Sequence, residues 1–311
     1  MKSSIFALVA LMSLVFVACN KDGDIIIDGN DGGDSQPETP SQPTPEAPIN
    51  LGYSVIEYLP APGQFINEKV SGFDNIYTMD EACKQAEKRL SEGLYVSLGA
   101  WGGSITVKFD KPILNSGSYD FAVASNSFET SNEPGIVWVM EDSNGNGLPD
   151  EEWYELKGSY FGQEGYERNY WVKYTRPEEK DQPTPWEDSN GETGFVNWMG
   201  NYHDQPFYYP NWVSENSYTL YGSRLPVYAS QNPVTGVWTN DPFEWGYVDN
   251  LGSDFIEDGY KTRFMISNAV TEDNEPADLT SILFIKVQTA INGEAGWIGE
   301  NSTEVTGFSA L

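Results

Sequence analysis

Ile136–Leu156, which reads IVWVMEDSNGNGLPDEEWYEL, sets two apolar runs rich in β-branched and aromatic residues on either side of an acidic, amide-rich loop. This is the pattern of two strands joined by a metal-binding turn. Counting from Asp142, oxygen-bearing side chains fall at positions 1, 3 and 5 (Asp142, Asn144, Asn146), with Gly147 at position 6 and Asp150 at position 9. A hard cation such as Ca2+ takes about six to eight oxygens, which alternate residues of a tight loop can direct inward while the glycine permits the sharp turn. Leu148, at position 7, offers its carbonyl. Where a helical EF-hand closes the site with a bidentate Glu, at position 12, this chain has Trp153, so Glu152 before it and Glu155 after it are the candidate closing carboxylates. Strands instead of helices on either flank make this an EF-hand-like loop on a β scaffold. The alternative is a plain Asn-Gly hairpin with acidic decoration.

Working outward, Tyr53–Leu59, Leu94–Leu98, Ser104–Phe109 and Tyr119–Ala124 read as strands before the loop. Asn169–Tyr174, Ser217–Tyr221, Lys261–Ser267, Ile282–Val287 and Thr303–Phe308 read as strands after it. Alternation is clearest at Ile105, Val107 and Phe109 and at Tyr170, Val172 and Tyr174. One helix stands out. Thr78 and Glu81 form a capping box, Met79, Ala82, Cys83, Ala86 and Leu90 share one face, and Gly93 stops the run. Many short strands and a single short helix predict an all-β fold, an antiparallel β-sandwich that is jelly-roll-like and forms one domain over residues 51–311.

Residues 186–247 depart from this pattern. They hold fifteen aromatics, including five of the ten tryptophans, among frequent Gly, Pro and Asn. That composition predicts long loops on a rigid sandwich, the usual location of a binding surface. Trp198, Tyr202, Tyr208, Tyr209, Trp212 and Trp245 are the candidate ligand-stacking residues, because broad apolar rings give affinity at small entropic cost. His203, the one histidine of the chain, joins them as a candidate ligand contact.

At the N-terminus, Lys2, the apolar run Ile5–Val17 and the Ala18-Cys19 pair predict a signal peptide over residues 1–18 and a lipid-modified Cys19. The apolar run is too short to span a bilayer. Residues 19–50, acidic and Gly-rich and then Pro/Ser/Thr-rich, predict a disordered tether. With Cys19 lipidated, Cys83 is the one thiol left, so no intrachain disulfide forms, and its place on the apolar stripe of the helix marks it as a small buried hydrophobe. Net charge is −30, of which −5 falls in residues 1–50. A field of that sign repels nucleic acid and anionic membrane surfaces and favours bound cations, so the membrane is met through the lipid anchor alone.

The runs SLGAWGGSITVKFDKPI, GSYDFAVASNSF, EPGIVWVMEDSNGNGLPDEEWYEL, RNYWVKYTRP and LFIKVQTAINGEAGWIGENSTEVTGF together resemble a family of Bacteroidota-type cell-surface lipoproteins. The resemblance covers roughly residues 51–311. It implies a jelly-roll domain and, for some members, association with TonB-dependent vitamin B12 uptake. It therefore implies a lipoprotein on the outer face of the outer membrane that binds a nutrient, favoured a corrinoid, for delivery to a TonB-dependent transporter. A glycan-binding module is the alternative. Catalysis has no support in spacing. No nucleophile elbow accompanies His203, and carboxylates are too abundant for a glycoside-hydrolase pair to be singled out. The expectation is a binding protein and not an enzyme.

Overall fold

Alternation of apolar and polar residues places one face of each long strand against a shared core, and the outcome is an all-β fold with 38% strand against 7% helix. The computed structural model describes residues 51–200, 203, 205–296 and 299–311, all within one compact unit, Ala47–Leu311. The expectations for the signal peptide, Cys19, the tether and Tyr202 lie outside the described residues.

In chain order the elements are β1 (Tyr53–Leu59), α1 (Met79–Ser91), β2 (Val96–Ser97), β3 (Ser104–Leu114), β4 (Phe121–Ser125), β5 (Gly135–Met140) and β6 (Tyr154–Leu156). Then follow β7 (Glu167–Thr175), β8 (Thr184–Asp188), β9 (Thr193–Val196), β10 (Ser217–Arg224), β11 (Ala229–Gln231) and β12 (Trp238–Asn240). The last are β13 (Phe255–Ile256), β14 (Lys261–Phe264), a 3-10 turn at Ile266–Asn268, β15 (Ala269–Val270), β16 (Ser281–Thr289) and β17 (Glu304–Ala310).

Two antiparallel sheets make the sandwich. One has the order β1-β3-β16-β5-β6-β15 and the other β13-β14-β4-β17-β2. Val107, Val137 and Ile285 from the first meet Phe121, Val123 and Val305 from the second in one core cluster. A third sheet, β10-β7-β8-β9, adds Tyr170, Val172, Tyr174 and Leu220 to that core.

Thr78 caps α1 as the sequence predicts: its hydroxyl accepts the Glu81 N–H, and the Glu81 carboxylate accepts the Thr78 N–H. Ala82, Cys83, Ala86 and Leu90 are buried, and Glu87 accepts the Val55 N–H at 3.0 Å, docking the helix on β1. Burial pushes the Cys83 thiol up to about 11, which keeps it unreactive.

The stretch 186–247 carries more regular structure than its composition predicts, with β9, β10, β11 and β12 and most of β8 inside it. It is also more buried. Tyr208, Tyr209 and Trp212 belong to the main core, a correction to their assignment as ligand platforms. Their polar ends are used internally: Tyr208 Oη accepts the Met199 N–H, Tyr209 Oη donates to the Glu215 carbonyl, and Trp212 Nε1 donates to the Tyr58 carbonyl at 3.0 Å. The Trp212 ring lies 5.4 Å from Tyr58 and 5.7 Å from Phe73. Trp212→Ala is therefore expected to cost about 3 to 5 kcal/mol of stability, read as a fall in the denaturant midpoint. A midpoint within error of the parent would place the ring outside the core.

Candidate functional site

One cavity gathers the chemically distinctive side chains. It has a volume of about 320 Å³ and is lined by Gln64 and Phe65 after β1, Tyr95 before β2, Asn126, Phe128, Ser131 and Glu133 between β4 and β5, His203, and Glu300 and Glu304 at the start of β17. Phe128, 58% exposed, forms the rim, while Glu300 and Glu304 are buried at the floor. A Cβ at Gly63 would lie 2.7 Å from Glu300 Oε1, so glycine there is what lets the carboxylate approach the turn.

Each acid is held by main-chain or amide donors. Gln64 N–H donates to Glu300 at 2.7 Å, Ser302 N–H to Glu133 at 3.0 Å, and the Asn126 amide to Glu304. Behind them the buried Asp249 accepts the Glu304 N–H at 2.8 Å. Glu300 Oε2 and Asp249 Oδ1 are buried with no hydrogen-bond partner among the described residues. Burial, with repulsion among the acids adding to it, raises the carboxyl of Glu300 to about 8 and that of Glu304 to about 7, and holds Glu133 and Asp249 well above their ordinary range. Glu300, at about 8, therefore favours its protonated form at neutral pH and can donate as well as accept.

His203 Nδ1 lies 2.9 Å from Glu68 Oε1, and its ring meets Phe65 edge-on at 4.5 Å. Phe65 in turn meets Tyr95 edge-on at 6.0 Å. Of the aromatic-region candidates with described coordinates, only His203 lines this cavity. Trp198 is half-buried against the core and donates to the Gln205 carbonyl. Trp245 is half-buried, and its main chain pairs with Ser159.

The loop after β5 is built on side-chain-to-main-chain turns. Asp142 accepts the Gly147 N–H at 3.0 Å, Asn144 the Asn146 N–H at 2.9 Å, and Asn146 the Leu148 N–H at 2.7 Å. Gly147 takes φ +70°, where a Cβ would also strike Lys108 Nζ. Asp150 accepts both Asn amides.

Glu151, which the sequence reading passed over, is the carboxylate that folds back over the loop, accepting hydrogen bonds from the Ser143 hydroxyl and the Asn144 N–H. Glu152 instead pairs with the Tyr154 hydroxyl. Glu155 is buried in β6, bonded to Tyr166 and Ser223 with Arg168 near, so it is not a loop ligand. Asp142 Oδ1 and Glu151 Oε2 are buried and lack hydrogen-bond partners among the described residues, a fit for a cation. Among the described residues no three His, Cys, Asp or Glu side chains converge closely enough to hold a metal by themselves. A cation here would draw on amide and main-chain oxygens too, as hard cations do.

Comparison with known proteins finds no family model and no curated protein that matches the chain. Among the described residues no helix is long and apolar enough to cross a membrane.

The raised acids give stability a definite pH dependence. Below about 4.5 Glu300 is protonated folded and unfolded alike; between there and about 8 only the folded state keeps the proton, so stability falls as pH rises through that window. The melting temperature is expected to decline from pH 5 to 8. Glu300→Gln, which keeps an acceptor for Gln64 N–H, should flatten the decline. A wild-type melting temperature that climbed over the same range would contradict the assignment.

Proposed function

We propose that the chain is a surface lipoprotein that captures a nutrient ligand in the acid-floored cavity for delivery to a TonB-dependent transporter, with Ca2+ holding the Asp142 loop. The observation that carries the reading is the pairing of three carboxyls, the buried Glu300 and Glu304 and the half-buried Glu133, with the rings of Phe65, Tyr95 and Phe128 in one open cavity. Clefts lined by apolar rings with a few convergent polar groups are where small ligands bind. The chemistry suits a neutral ligand rich in N–H or O–H donors. A corrinoid, favoured by the resemblance, carries a fringe of side-chain amides. The macrocycle is broad for a cavity of about 320 Å³, so amides would enter towards Glu300 and Glu304 while the ring lies across Phe128.

The second reading is the end of a glycan chain, whose hydroxyls and ring faces suit the same carboxyls and aromatics. Protonated carboxyls also serve as general acids in glycoside hydrolysis, and sugar release on incubation would move the protein into that class.

Calorimetry with cyanocobalamin and with soluble oligosaccharides separates the two ligands. Either way, His203→Ala and Glu300→Gln are expected to weaken binding about tenfold or more, equivalent to about 1.4 kcal/mol. Affinity unchanged in both variants would move the ligand away from this cavity. For the metal, Asp142, Asn144, Asn146, the Leu148 carbonyl, Asp150 and Glu151 are the proposed ligand set. Calcium at about a hundredfold excess over its Kd adds about 2.7 kcal/mol to the folded state. A chelator should therefore lower the melting temperature of the wild type and leave that of Asp142→Ala unchanged. Metal-free protein by elemental analysis, with no response to chelator, rejects the site.

A further inference from the structure

A second cavity, of about 590 Å³, lies on the outer face of the first sheet beside the Asp142 loop. It shares no lining residue with the acid pocket. Strand alternation builds it: Ile285 and Val287 of β16 point into the core, which turns Lys286 outward, and Lys108 stands outward on β3 in the same way. Both lysines line the cavity with Thr106, and Glu57 is the one carboxylate among its lining residues.

The charge pattern runs against the rest of the molecule. Of 47 acidic residues in the chain, none has a carboxylate oxygen within 4.0 Å of Lys108 or Lys286 among the described residues. Lys108 donates to the Gly147 carbonyl at 2.8 Å, and Lys286 sits over the rings of Trp153 at 4.7 Å and Trp138 at 5.4 Å. Ring faces stabilise an ammonium only in part, and burial holds Lys286 below its ordinary value. Two ammonium groups against one carboxylate leave this cavity positive in a chain of net charge −30. The rest of the lining includes an apolar set, Ile56, Leu148, Pro149 and the Trp153 ring that Lys286 borders.

We propose that this cavity is a second ligand site, for a small organic oxyanion whose carboxylate or phosphate pairs with Lys286 and Lys108 and whose apolar body lies against Trp153. Charge-assisted hydrogen bonds to an ammonium are roughly twice as strong as neutral ones, and they gain further where water is partly excluded. The apolar wall then sets a preference for an aromatic or aliphatic body over a bare inorganic ion. This inference is independent of the ligand assigned to the acid pocket.

Titration of the full folded chain with benzoate, inorganic phosphate and benzyl alcohol, followed by calorimetry and by lysine-Nζ resonances, tests it. Benzoate is expected to saturate one site at millimolar concentration and to bind at least about tenfold more tightly than benzyl alcohol. Lys286→Met should weaken benzoate about tenfold or more, Lys286→Arg should retain binding within about threefold, and Trp153→Ala should weaken benzoate while leaving phosphate unchanged. Removing a half-buried charge should leave the Lys286→Met melting temperature unchanged or raised. Absence of saturable binding by either anion up to about 10 mM overturns the site. Benzoate binding unchanged in a Lys286→Met protein that melts lower assigns the lysine to packing and overturns the proposal equally. Phosphate bound as tightly as benzoate overturns the apolar-body assignment.

Discussion

The register of β16 is the constraint on which the rest of the structure depends. Ile285 pairs with Val107 on β3 and Val139 on β5, and Val287 with Ile105 and Val137. These residues face the core, while Phe284, Lys286 and Gln288 face the other way. Because side chains alternate with period two, a slip of one residue would drive Lys286 into the sandwich interior and leave a buried charge without a partner. Ile282 and Ile285 both reach the core although they stand an odd three positions apart, because the ladder shifts between Ile282 and Phe284. That bulge absorbs the extra residue and keeps both side chains inside.

The acid pocket sits where the ladder ends and the chain turns towards β17. Four carboxyls gathered below the surface in a strongly acidic chain oppose folding on electrostatic grounds. The fold holds them by main-chain donors, with N–H groups from Gln64, Ser302 and Glu304 each pointing at one acid, and burial raises all four carboxyls. Raised carboxyls gathered in an open cavity are the physical feature on which the proposed ligand site rests. The neighbouring sandwich, with its continuous apolar cluster across both main sheets, supplies the stability that the acids lower.

How far the sequence reveals this depends on whether the signal is local. The strands were legible where Ile105, Val107 and Phe109 alternate, the helix was legible from Thr78 and Glu81, and the turn after β5 from Asp142, Asn144, Asn146 and Gly147. Each of those signals spans fewer than about a dozen residues, within reach of period and capping rules. Glu151 was not legible because the EF-hand spacing looks for a carboxylate two residues later, after a helical turn that a β scaffold does not have. The acid pocket was hidden for a different reason: its walls come from five separated segments, joined only when β4 pairs with β17 and β5 with β16. The aromatic run misled because Gly, Pro and Asn signal irregular backbone, which is not the same as exposure. Residues 205–209 are irregular and yet largely buried, because Asn67 supplies the hydrogen bonds a sheet would otherwise give: its side-chain amide donates to the Phe207 and Tyr209 carbonyls, and its main-chain N–H donates to the Gln205 side-chain oxygen.

Lys108 joins two parts of the molecule that the sequence keeps 39 residues apart. Its ammonium group holds the Gly147 carbonyl at the sharpest point of the Asp142 loop, and the same group lines the cationic cavity. An anion in that cavity competes with the carbonyl for the ammonium hydrogens. A cation in the loop, drawing on nearby oxygens, weakens the carbonyl as an acceptor and frees the ammonium for the anion. By linkage, whatever free energy the first ligand adds to the binding of the second, the second adds to the first. The sign of that coupling is favourable on charge alone, since a cation and an anion held close together attract, and protein between them screens less than water would. The two proposed sites would thus act as one electrostatic arrangement, beside a sheet whose register does not permit either lysine to turn inward.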